Sequence, residues 1–255
     1  MILNYHNTQI YYKLSGTGPA IVLLHGFLES SRMWDYFVPI LAQNSTVITI
    51  DLPGHGKSGF IGKEHGMELM ADVVFSILNK HQIQKGVFAG HSMGGYVALA
   101  IAEKYADSID KLILINSTPA EDSEERKINR DRAIKVIVKN PEAFISMAIS
   151  NLFAEETRDL YKSEILRLKK EAMKFPVEGI IATISGMKNR KDRISVLKKI
   201  NTPKFMICGI DDPIIPYETC KIEASETNTT LISTPGGHMS WIENQAIIAK
   251  ILTLT

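Results

Sequence analysis

Short apolar runs recur along the chain, each of strand length and most followed by a stretch whose apolar positions fall at helical spacing. Ala20 to Leu24, Thr46 to Ile50, Gly86 to Ala89, Lys111 to Ile115, Lys204 to Cys208 and Thr230 to Ser233 predict central strands, because apolar runs rich in Val and Ile suit strands covered on both faces. Ile2 to Tyr5 and Ile10 to Leu14 predict an antiparallel hairpin at one edge. Helices are expected at Arg32 to Leu41, Met67 to His81, Met93 to Tyr105, Tyr217 to Ser225 and Ile242 to Leu252. This alternation predicts an α/β fold, a mostly parallel central sheet with helices on both faces.

The alternation breaks once. Between 118 and 189 there is no strand pattern; instead Tyr161, Ile165, Leu168 and Ala172 share one helix face, and Ile180, Ile181, Ile184 and Met187 form a second stripe. An all-helical insertion over 118–189 is expected, set in a core made of 1–117 and 190–255.

Composition narrows the function classes. The chain has 255 residues, 45% of them hydrophobic, and a formal charge of +1, so no electrostatic bias points to nucleic acid or to an anionic membrane. No apolar segment approaches the length of a membrane span, and the N-terminal residues lack the basic-then-apolar pattern of an export signal. A cytoplasmic protein with a small-molecule substrate is expected; the oligomeric state is not legible. Cys208 and Cys220 make no disulfide framework and lack metal-ligand spacing, so neither metal nor organic cofactor is expected.

The chemistry gathers where strands end. Gly90-His91-Ser92-Met93-Gly94 stands between an apolar strand and a helix, the context in which a G-x-S-x-G turn holds a nucleophilic serine out at the carboxyl edge of a sheet. A serine hydroxyl needs a base, and the base needs an orienting group. Of seven histidines, only His238 combines a late position with a post-strand, glycine-rich loop. After the strand ending at Cys208 come Asp211 and Asp212, which periodicity cannot tell apart. His25 and His91 are read as turn or packing residues, and His55 as a loop residue. Two backbone donors for a developing oxyanion are expected at the amides of Met93 and Phe27, with Gly26 letting the chain turn. Phe27, Met93, Met147, Phe153, Met187, Ile214 and Trp241 are expected to line an apolar pocket.

These motifs together resemble the α/β-hydrolase fold superfamily of esterase- and lipase-like proteins. His25-Gly26-Phe27 is similar to its oxyanion loop, Asp51-Leu52-Pro53-Gly54-His55-Gly56-Lys57-Ser58 to its D-x-P-G-H-G-x-S loop, and Gly209 to Pro216 to its G-x-x-D-P loop. Gly237-His238, followed by Glu243, resembles its ending. The resemblance implies a triad of Ser92, Asp212 and His238, singles out Asp212 over Asp211, and makes the insertion a cap over the site. It implies a serine hydrolase of esters, thioesters or lactones of small to medium, largely apolar substrates. Dehalogenases and epoxide hydrolases of this fold carry aspartate where Ser92 stands, and the menaquinone-pathway lyase type carries arginine where Tyr96 stands. Carbon-carbon hydrolase, lyase or haloperoxidase chemistry on the same triad, or a slowly hydrolysing ligand receptor, are the alternatives.

Overall fold

In the computed structural model, which describes residues 1–253, eight strands form one sheet in the order β1-β2-β4-β3-β5-β6-β7-β8. The strands are β1 (Ile2–Tyr5), β2 (Thr8–Ser15), β3 (Ala20–Leu24), β4 (Thr46–Ile50), β5 (Gly86–His91), β6 (Ile109–Ile115), β7 (Lys204–Gly209) and β8 (Thr230–Thr234). β1 and β2 pair antiparallel through a tight turn at His6 and Asn7, whose φ values of 45° and 63° are those a two-residue hairpin turn requires. From β4 to β8 all pairings are parallel.

The helices are α1 (Val38–Leu41), α2 (Met67–Lys80), α3 (Met93–Lys104), α4 (Glu124–Lys139), α5 (Pro141–Ser150), α6 (Lys162–Ala172), α7 (Val177–Lys188), α8 (Ile194–Lys199), α9 (Tyr217–Glu226), α10 (Ser240–Glu243) and α11 (Gln245–Thr253). From β3 the chain steps outward to β4, then crosses back to β5 on the other side of β3. Right-handed crossovers in opposite directions put their helices on opposite faces, so β3 is covered twice and all five of its residues are buried. The gap between the carboxyl ends of β3 and β5 is the point where strand order reverses, the place where open α/β sheets gather ligands.

β6 and β7 are neighbours in the sheet, yet α4 to α8 intervene in sequence. α4 packs on α5 and α7, and α5 on α6. No helix among the described residues is long and apolar enough to cross a membrane.

Three elements differ from expectation. β8 is the far edge strand, not a central one, and Leu231 and Ile232 are only half-buried because nothing pairs beyond them. The single helix expected over Arg32 to Leu41 is a short 3-10 turn, Ser31–Trp34, followed by α1; Pro39 lacks the N–H that would join the two. The last helix breaks at Asn244, which leaves helical geometry at φ −137° and whose Nδ2 donates to the Pro235 carbonyl at 2.7 Å.

Candidate active site

β5 delivers Ser92 to the sheet edge in a strained conformation, φ 49° and ψ −114°, outside the regions a residue with a Cβ adopts freely. Its N–H donates to the Ile115 carbonyl at 2.9 Å, and its own carbonyl accepts from Ser117 Oγ at 2.8 Å. The flanking glycines are needed for space. A Cβ on Gly90 would sit 2.3 Å from the Gly94 backbone, and one on Gly94 would sit 2.2 Å from the Leu24 carbonyl oxygen. The turn is therefore tight enough to hold a serine out only if both neighbours lack side chains.

His238 and Asp212 meet below this edge. The imidazole Nδ1 lies 2.8 Å and 3.0 Å from the two Asp212 carboxylate oxygens, with both side chains buried. One carboxylate oxygen also accepts from the N–H groups of Ile214 and Ile215 at 2.8 Å and 3.0 Å, and the other from Asn116 Nδ2 at 2.9 Å. Burial alone would raise the Asp212 pKa, but the facing His238 and these donors outweigh it and hold the carboxyl below its ordinary value. A carboxylate so held keeps the Nδ1 proton on the imidazole and leaves Nε2 as the nitrogen free to take another. Asp211, by contrast, is exposed.

Glu243 seats the loop that carries the histidine: its carboxylate accepts from the Gly237 N–H at 2.7 Å and from Thr157 Oγ1 at 3.1 Å. Gly236 turns here at φ 85°, where a Cβ would meet that same carboxylate at 2.8 Å. The ending Gly237-His238 with Glu243 is thus one structural unit.

Across the gap, the loop after β3 presents the peptide between Gly26 and Phe27. Its carbonyl is held on one side by His25 Nδ1, which donates at 2.7 Å, and by the Glu29 N–H at 3.3 Å. A trans peptide points its N–H opposite to its carbonyl, so these two bonds fix the direction of the Phe27 amide. The His25 Nε2 accepts from the Leu52 N–H at 2.9 Å, which sets the tautomer, and burial keeps the ring neutral by lowering its pKa. Gly26 itself is not at positive φ; it must be glycine because a Cβ would lie 2.6 Å from Glu29 Oε2 and 2.7 Å from His91 Nδ1. Met93 opens α3, so its N–H belongs to the first turn, whose donors the helix does not use.

His91 is more than a packing residue. Its Nδ1 donates to Glu29 Oε2 at 2.9 Å and its Nε2 donates to the His238 carbonyl at 2.9 Å, with the rings of His91 and His238 centred 5.1 Å apart. Glu29 further accepts from the Gly26 N–H at 2.7 Å and from Trp241 Nε1 at 3.1 Å. Burial would push the imidazole down and the carboxyl up; their mutual attraction and hydrogen bond win, raising His91 and lowering Glu29 from their usual values.

Between the two loops lies a cavity of about 340 Å³ lined on the sheet side by Phe27, Glu29, His91, Ser92 and His238. Among the residues expected to line it, Phe27, Met187 and Ile214 do. The others do not. Met147 is 54% exposed on the outer face of α5, because its neighbour Ala148 takes the inward position. Phe153 is fully buried beside the Tyr161 ring, Met93 is fully buried in the core, and Trp241 spends its indole N–H on Glu29. The inserted helices close the far side with Arg126, Asn129, Arg130 and Ala133 of α4, so the lining is mixed rather than largely apolar.

The D-x-P-G-H-G-x-S stretch acts behind the cavity. Asp51 accepts from the N–H groups of Ser31 and Lys57, both at 2.8 Å, and a Cβ on Gly56 would sit 2.2 Å from its carboxylate. His55 is buried among His25, Phe27 and Phe175, and burial lowers its pKa well below the usual value.

The family model for the alpha/beta hydrolase fold matches residues 19–245. The chain belongs to the α/β-hydrolase fold family. Among solved structures it is similar to a malate-bound thermophilic esterase from Thermogutta terrifontis, with 30% identity, a TM-score of 0.90, and coverage of 96% of this chain and 92% of that one. A bromoperoxidase from Bacillus anthracis aligns with 25% identity and a TM-score of 0.87 over 97% and 95% of the two chains. A putative carbamate hydrolase, RutD, from Yersinia enterocolitica is 29% identical over 217 residues, which is 82% of this chain and 77% of that one.

Within this α/β hydrolase, the sequence motifs mark Ser92, Asp212 and His238, while Glu29, Asn116, Arg126 and Arg130 carry no motif signal. Asn116 was detectable only as a polar residue ending an apolar strand; at φ 45° it takes the left-handed conformation asparagine tolerates. Among the described residues no cluster of His, Cys, Asp and Glu side chains could hold a metal ion.

Proposed function

We propose that this protein is a serine hydrolase that cleaves carboxylic ester bonds through an acyl-enzyme on Ser92. The observation that carries the reading is the buried pairing of His238 Nδ1 with Asp212 beside a cavity that both His238 and Ser92 line. His238 removes the Ser92 proton as the hydroxyl attacks the ester carbonyl carbon, and Asp212 stabilises the imidazolium that forms. The amides of Phe27 and Met93 receive the negative charge on the carbonyl oxygen. His238 then protonates the departing alcohol, and water activated by the same imidazole releases the acid. The inserted helices act as a cap that walls the substrate from bulk water.

The esterase of known structure supports this choice among α/β hydrolases; the bromoperoxidase and carbamate hydrolase names make carbamates and peroxide-dependent bromination the comparison substrates. The test is a panel of esters, thioesters, lactones and carbamates with the wild-type enzyme and Ser92→Ala, paired with phosphonate labelling. Ester turnover that falls at least about 10³-fold in Ser92→Ala, with the label on Ser92, is expected. Turnover within a few-fold of wild type in that variant overturns the reading.

A further inference from the structure

The wall of the cavity opposite Ser92 carries more positive charge than its partners neutralise. Arg126 and Arg130 lie four residues apart on α4, hence on one helix face, and both line the cavity with Asn129 beside them. Behind them sits Asp122, whose side chain is fully buried. It is shared by three guanidinium groups: Arg190 Nη1 at 2.5 Å, Arg130 Nε at 3.0 Å and Arg126 Nε at 3.5 Å. One carboxylate facing three permanent cations leaves an excess of two positive charges. Across the cavity Glu29 is matched by His91. Asp212 is buried, and its oxygens are already taken by His238 Nδ1, Asn116 Nδ2 and the N–H groups of Ile214 and Ile215, so it offers no oxygen to the two arginines. Glu223, a buried acid that Arg190 also influences, has its pKa raised by burial to about 7 and is only partly ionised at neutral pH.

The geometry of the two lining arginines suits an incoming anion. Asp122 engages both through Nε, the inner edge of the fork, and Arg126 Nη1 also donates to the Ile214 carbonyl at 3.2 Å. Arg130 meets Asp122 through Nε alone, leaving its terminal nitrogens for another acceptor. Arg190 is not a cavity residue; it is 4% exposed and stacks 4.2 Å above the Tyr96 ring, which does line the cavity. Arg130 is thus held by its hydrogen bond to the buried carboxylate and Arg126 by its bond to the Ile214 carbonyl, a preorganisation that lowers the entropic cost of binding.

We propose that Arg126 and Arg130 form a subsite for a carboxylate carried by the substrate away from its scissile bond, so that the preferred substrates are monoesters of dicarboxylic acids or esters of hydroxy acids. This rests on the reading of Ser92 as the nucleophile at the other side of the same cavity. Arginine forks match a carboxylate in the plane of both groups, and charge-assisted bonds of this kind are the stronger class of hydrogen bond, so a gain of roughly tenfold or more in kcat/KM is expected.

The test compares hydrolysis of monomethyl glutarate with methyl pentanoate, and of 3-acetoxypropanoate with propyl acetate, in the wild type, Arg126→Gln/Arg130→Gln and Arg126→Lys/Arg130→Lys. Each result is read as the anionic-to-neutral ratio of kcat/KM, which does not depend on the fraction of folded enzyme. A ratio of about ten or more for at least one pair is expected, collapsing toward one in the Gln variant, partly retained in the Lys variant, and shrinking at about 0.5 M salt. A ratio near one in the wild type for both pairs, or one that the Gln substitutions leave intact, overturns the proposal. Calorimetric titration of Ser92→Ala with monomethyl glutarate separates the two readings. Binding that is lost on adding the two Gln substitutions supports the subsite even if no ester is turned over, whereas Ser92-dependent turnover of neutral esters with no such binding sinks the subsite alone.

Discussion

Nδ1 of His91 lies 2.9 Å from Glu29 Oε2 while its Nε2 lies 2.9 Å from the backbone carbonyl of His238, so both ring nitrogens face acceptors and the doubly protonated ring is favoured. This buried ion pair links the loop after β3, through Gly26, to the loop that carries His238. Glu29→Ala leaves an imidazolium buried without its counter-charge, and a loss of about 3 to 5 kcal/mol in unfolding free energy is expected from denaturant titration. The pH dependence follows from both shifts. His91, raised above its ordinary 6.5, contributes stability that is complete below that value and lost as pH rises through its folded pKa. Glu29, lowered from 4.5, contributes stability present above that value and lost as pH falls through its folded pKa. The wild-type advantage over Glu29→Gln is therefore expected to peak between those two values and to shrink on the alkaline side.

Asp211 and Asp212 are neighbours with opposite fates. Asp212→Asn removes the charge that holds the His238 tautomer, and a fall in kcat of about 10⁴-fold is expected. Asp211→Asn changes an exposed side chain and is expected to stay within about threefold. Steady-state kinetics on one ester decides both; equal effects would contradict the assignment.

Asn116 touches Asp212 but not the cavity, which makes it a positioning residue. Asn116→Gly is the informative change, because glycine accepts φ 45° and only the side chain is lost. Removing one hydrogen bond to a buried carboxylate is expected to lower kcat by about tenfold or more with KM little changed. A change in KM alone would point to a different role.

Ser92 sits at φ 49° and ψ −114°, a conformation that costs a residue with a Cβ roughly 1 to 3 kcal/mol. Ser92→Gly is expected to abolish hydrolysis and to raise the thermal midpoint by a few degrees, measured by scanning calorimetry. A lower midpoint would show that the serine contributes contacts outweighing the strain.

What the chain revealed before folding, and what it hid, follows from the range of the interactions involved. β1, β3 and β4 were legible residue for residue, since local composition reports how a strand is covered. The residues of β8 were legible to within one position, but its place at the sheet edge was not, because an apolar run cannot say whether a ninth strand lies beyond it. The tight turn at Ser92 and the pairing of Asp212 with His238 were legible through short motifs whose glycines answer to steric demands within a few residues. Glu29, Asn116 and Arg130 were hidden because their meaning lies in distant partners: Glu29 with Trp241, 212 positions away, and Asn116 with Asp212, 96 positions away. Gly26 was expected for backbone freedom, but its φ is not positive, and what requires glycine there is the close approach of Glu29 and His91.

The N–H of His238 donates to the Leu152 carbonyl at 3.1 Å, a Cβ on Gly237 would lie 2.8 Å from the Ala154 nitrogen, and Thr157 Oγ1 donates to Glu243. The stretch from 152 to 157 is thereby riveted to the very loop that holds the imidazole. A movement that carried this stretch away from the sheet would break those bonds and unseat the ring, so any widening of the cavity has to leave residues 152–157 where they are.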